Sequence, residues 1–224
     1  TASTSLRRRG PTGQAGNADA QEHALARAAS LPIDRASCAA LHRERAALLE
    51  ASPATRGRAL AALEAARVYD PSHPDVLERL DRRYSEADRS RDLIGVLEAR
   101  MLHARGVALG ELQRRAAGCA EALGEETLAA ELWRGAVANL QGAPERRTAI
   151  LPHAVDAQRR AMCLDAFVEF AEEELTVATG ARRVSLLRDL AHILRDALGQ
   201  PARALVHLRA LVSDTASDAC DRSE

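Results

Sequence analysis

The chain has 224 residues, enough for one sizeable core or for a run of repeated units. Hydrophobic residues make up 46% but aromatics only 2%, so the apolar content is mostly Ala, Leu and Val, which favours helix over strand and packing through small side chains. The 31 basic residues, every one an arginine, nearly balance 32 acids for a net charge of −1, which speaks against a general nucleic-acid or membrane-surface binder.

Residues 1–17 are rich in Ser, Thr and Gly and carry no periodic apolar positions, so a disordered tail is expected there, with Arg7, Arg8 and Arg9 in solvent. A helix is expected over 18–30, ending before Leu31-Pro32, and a second over 35–51, ended by Ser52-Pro53. The third covers 55–68 and closes at Asp70-Pro71. Pro74 suits the first turn of a fourth, to about residue 87. The fifth spans 90–105 and stops at Gly106. The stretch 110–140 reads as two amphipathic helices with a tight break at Gly124-Glu125. An eighth helix covers 145–160, where Pro152 is expected to kink or break it near Ala149-Ile150. A ninth runs to about residue 178, a tenth over 182–198, and a last one from Pro201 to about 212. The polar stretch 213–224 is expected to fray.

The second helix of each pair carries the same face. The sets are Ala59-Leu63-Ala66, Leu93-Leu97-Arg100, Ala129-Trp133-Ala136, Ala166-Phe170-Glu173 and Ala204-Leu208-Leu211. Spacings of four then three place each set on one side of a helix. Successive sets are separated by 34, 36, 37 and 38 residues, and Ala24 lies 35 before the first, hinting at half a unit.

A period in the mid-thirties with two helices per period resembles the tetratricopeptide repeat. The third unit carries the likeness best, through Ala117, Ala120, Gly124, Ala129, Trp133 and Ala136. The second supplies Leu77, Leu80 and Tyr84, and Asp70-Pro71 resembles the inter-repeat proline. Arg100 and Glu173 stand at normally small positions, and the fourth unit lacks a turn glycine. HEAT-like pairs of longer helices are the other reading of the same period. The resemblance implies an all-α, right-handed solenoid of about five antiparallel helix pairs plus a leading helix over 18–212. Each hairpin buries its apolar face on the next.

The resemblance further implies that the first helix of each pair lines a concave, partner-binding face. Matching gives Arg43, Glu50, Glu78, Arg82, Arg114, Glu121, Leu151, Arg159, Arg188, His192 and Arg195. Guanidinium forks in such a row can grip carboxylates or carbonyls of a peptide. Ala47 and Gly118 stand where a carboxylate clamp would have asparagine, so capture of a chaperone C-terminus is not implied.

Nothing in the sequence points to catalysis. The seven histidines form no HxxxH or HExxH pair, and no GxxxxGK[ST], GxGxxG or GxSxG stretch occurs. Cys38, Cys119, Cys163 and Cys220 make no CxxC pair, and Cys119 reads as a small core residue. No apolar run approaches the ~20 residues needed to span a bilayer. The expectation is a non-enzymatic, cytoplasmic interaction scaffold with a protein or peptide partner and no metal or cofactor. The other reading, a regulatory arm of a larger enzyme or signalling protein, is favoured by the missing initial Met and the half unit at Ala24.

Overall fold

The computed structural model describes residues 11–221, with side chains described over 19–214. Among the described residues there is no strand. A leading helix, α1 (Pro11–Ala29), precedes five helix pairs: α2 (Arg35–Glu50) with α3 (Arg56–Tyr69), α4 (Pro74–Glu86) with α5 (Ser90–Met101), α6 (Gly106–Ala122) with α7 (Glu126–Asn139), α8 (Pro144–Arg160) with α9 (Leu164–Glu174), and α10 (Gly180–His192) with α11 (Pro201–Asp221). The chain divides into two compact units at Arg100/Met101.

In the first unit, α2 and α3 meet through alanines that let the backbones approach. Ala39, Ala46, Ala59, Ala62, Leu63 and Ala66 are all buried. Asp34 caps α2 by accepting from the Ser37 amide at 2.9 Å, satisfying an otherwise orphan donor. Val76, Leu77, Leu80 and Tyr84 of α4 are buried, as are Leu93, Ile94, Val96 and Leu97 of α5. The Tyr84 hydroxyl donates to Glu64 at 2.9 Å. Burial, with that carboxylate, pushes the phenol up to about 12. Arg100, at a normally small position, pairs with the buried Asp81 of α4.

In the second unit, α6 and α7 pack through Ala116, Ala117, Ala120, Ala129, Ala130 and Ala136. Gly110 permits this approach: a Cβ there would sit 2.8 Å from the buried Leu140 side chain. Glu173, the other exception to the small-residue rule, receives Arg147 of α8 through two bonds at 2.7 and 2.5 Å.

The pairs turn through one recurring device. Asp88, Gly124, Met162 and Gly199 adopt positive φ of 52°, 71°, 58° and 62°. The next amide bonds back to Tyr84, Ala120, Gln158 and Leu194 respectively, at 2.7–3.0 Å. This is the left-handed helix ending that glycine favours. The last of these bonds spans one extra residue because a π turn, Ile193–Ala197, interrupts the end of the tenth helix. Met162 thus does the work of the missing turn glycine. A left-handed conformation disfavours a side chain, and Met162 is largely exposed. Met162→Gly is therefore expected to stabilise the chain by about 0.5–1 kcal/mol. A lower urea midpoint for that variant would contradict this reading of the turn.

Several expectations need correction. Helix α1 begins at Pro11, not residue 18; proline fits the first helical turn. Residues 1–10 of the expected tail lie outside the described residues. Helix α11 continues to Asp221, past the expected fraying at 213, since no Gly or Pro follows Pro201 and Asp214 is held by Arg183 at 2.7 Å. Helix α8 runs unbroken through Pro152. The buried Ile150, Leu151, Ala154 and Val155 anchor the turns on either side, so packing outweighs the lost donor. Ala24 is exposed, and α1 instead buries Glu22 and Ala29, so the half-unit register falls away.

Candidate functional site: a groove between first helices

Helices α6 and α8, the first members of neighbouring pairs, border a groove of about 560 Å³ in the second unit. Residues Glu111, Arg114, Arg115, Gly118 and Glu121 of α6 line one wall, and Arg146, Ala149, Ile150 and His153 of α8 line the other. Both sets recur at helical spacing, so each wall is one helix face. Trp133 of α7 forms part of the lining and is itself only 4% exposed. Its ring stacks on His153, with centroids 5.4 Å apart and planes 11° from parallel. The indole Nε1 is buried without a hydrogen-bond partner.

The charges in the groove hold one another. Arg114 pairs with Glu111 at 2.9 Å, and Arg146 reaches the same carboxylate at 3.4 Å. Glu121 is paired with Arg160 of α8, which also reaches Glu126 at 2.8 Å. These contacts tie the α6–α7 pair to the α8–α9 pair and pre-set the walls. Gly118 leaves the space above it open: a Cβ built there meets nothing within 4 Å.

The charged residues expected from the sequence fall into three groups. Arg114 and Glu121 lie in the groove. Glu78, Arg82 and Arg188 are exposed and form no ion pair among the described residues. The others are engaged: Arg43 with Asp70 at 3.7 Å, Glu50 with Arg79 at 2.7 Å and Arg83 at 3.4 Å, Arg159 with Asp189 at 3.2 Å, and His192 and Arg195 with Asp196 at 2.7 and 2.6 Å. Leu151 is buried in the core and lies outside the groove lining. The groove face of α8 is Arg146, Ala149, Ile150 and His153 instead. Its spacing of three, four and seven was readable in the sequence, but the repeat alignment selected a different face of that helix.

Among the described residues no group of three or more His, Cys, Asp or Glu is placed to hold a metal. No helix among them is long and apolar enough to cross a membrane.

The helices, their pairing and the recurring turn define an all-α repeat of antiparallel helix pairs, TPR-like in arrangement. No family model matches the chain, and no curated protein does. Among solved structures it is similar to a Podosopora anserina putative kinesin light chain with nearly identical TPR-like repeats, at 18% identity and a TM-score of 0.44, over 90% of this chain and 96% of that one. A point variant of that same protein gives 18% identity and 0.43 over the same shares. BtubC (BKLC) from P. vanneervenii is similar at 14% identity and 0.41, over 92% of this chain and 91% of that one.

Proposed function

We propose that the protein is a non-catalytic scaffold that binds a peptide or protein partner in the α6–α8 groove. The observation that carries this is the open floor at Gly118 beside the Trp133–His153 stack, flanked by arginines already fixed by ion pairs. Pre-set guanidinium groups lose little freedom on binding and offer forked donors to carboxylates or backbone carbonyls.

Gly118→Gln is the matching test. The residue is exposed within a helix and a Cβ there meets nothing within 4 Å, so the variant is expected to gain about 0.5–1 kcal/mol of stability. It should nevertheless fill the groove. Peptides selected from a random display library on the parent chain should then bind Gly118→Gln at least about tenfold more weakly. Equal binding by parent and variant would place the partner elsewhere.

A further inference from the structure

Helix α1 is attached with little buried apolar surface among its described side chains. Where pairs stack, large apolar residues are buried: Trp133 and Val137 on α7, Phe167 and Phe170 on α9. Among the described side chains of α1, the buried ones are Glu22 and Ala29 only, with Leu25, Ala26 and Ala28 half-buried. Glu22 is 2% exposed, and its carboxylate accepts from Arg45 of α2 at 2.6 Å and from Arg58 of α3. His23 lies 3.6 Å from the same carboxylate, and Asp19 lies 3.9 Å from Arg58.

We propose that α1 is a detachable strap, latched onto the α2–α3 pair by the Glu22 carboxylate between Arg45 and Arg58, and that opening the latch uncovers that face of the pair. The described side chains of α1 bury little apolar surface and so give it little hold, whereas a buried carboxylate facing two guanidinium groups is strongly held until one partner is removed. Burial alone would push the Glu22 carboxyl up, yet the two arginines together hold it below its ordinary value. The ion pair ties α1 to both helices beneath it, Arg45 on α2 and Arg58 on α3. A helix latched by a buried ion pair is released by neutralising one partner or by a competing carboxylate, while the alanine-packed α2–α3 pair beneath is not.

Cys38 reports the event. It lies buried in α2, its thiol directed at the Ala29 carbonyl of α1 at 4.0 Å. In the full-length chain, Glu22→Gln is expected to speed alkylation of Cys38, read by peptide mass mapping, at least about tenfold over the parent. Amide exchange across 19–29 should rise by a similar factor, with α2 and α3 still protected. Arg58→Met should act in the same direction. Three results would overturn the proposal: unchanged Cys38 labelling in Glu22→Gln, equal loss of protection in α2 and α3, or an α1 already unprotected in the parent.

Discussion

Replacing Trp133 by alanine is expected to lower the unfolding free energy by about 3–5 kcal/mol, the usual range for removing a large buried ring. Trp133 is the only tryptophan in the chain and is almost wholly buried. Its neighbours on α7, Ala129, Ala130, Ala136 and Val137, are small and already in close contact, so they cannot collapse into the vacated volume. The loss also removes the stacked partner of His153, and with it a tie between the α6–α7 and α8–α9 pairs. A thermal midpoint within a degree of the parent would show that the ring does not sit between the pairs.

Removing Arg182 should be nearly as damaging, for an electrostatic reason. Its guanidinium donates to the Glu174 carboxylate at 2.8 and 2.9 Å, and reaches Asp156 at 3.1 Å. Glu174 leads the causes that hold Arg182 above its ordinary pKa. Glu174 is only 3% exposed, so Arg182→Met would leave a charge with no partner and little water. The expected loss is about 3 kcal/mol, the low end for a broken buried pair, because the Arg182 side chain is itself 35% exposed. Adding Glu174→Leu to that variant should recover much of the stability, since it removes the stranded charge. A double variant as unstable as the single one would mean that Arg182 acts through Asp156 or through packing.

The helices were largely legible because three signals agreed over most of the chain: period, proline position and alanine content. Gly124 was readable as a turn because positive φ favours glycine, whereas Met162 and Asp88 hid the same turn behind ordinary side chains. At Pro152 the local loss of a donor is outweighed by the four buried residues around it, which no local rule includes. The groove was half legible. Arg114 and Glu121 follow from the first-helix rule, but the matching wall on α8 depends on a register that the drifting spacing of the repeats obscures. The Trp133–His153 stack joins residues twenty apart on separate helices, and no spacing rule announces it. Nor does the sequence distinguish an arginine that meets a partner from one that braces its own fold. Arg43, Arg159 and Arg195 each meet an acid of this chain, as Arg114 does in the groove.

The fluorescence of Trp133 tests the binding proposal most directly, because the chain's sole tryptophan lines the groove. Titrating a selected peptide into the full-length protein should shift that emission saturably, with a midpoint equal to the calorimetric Kd. Gly118→Gln should move that midpoint at least about tenfold higher while melting no lower than the parent. A peptide that binds by calorimetry yet leaves the tryptophan emission unmoved in the parent would contradict the account.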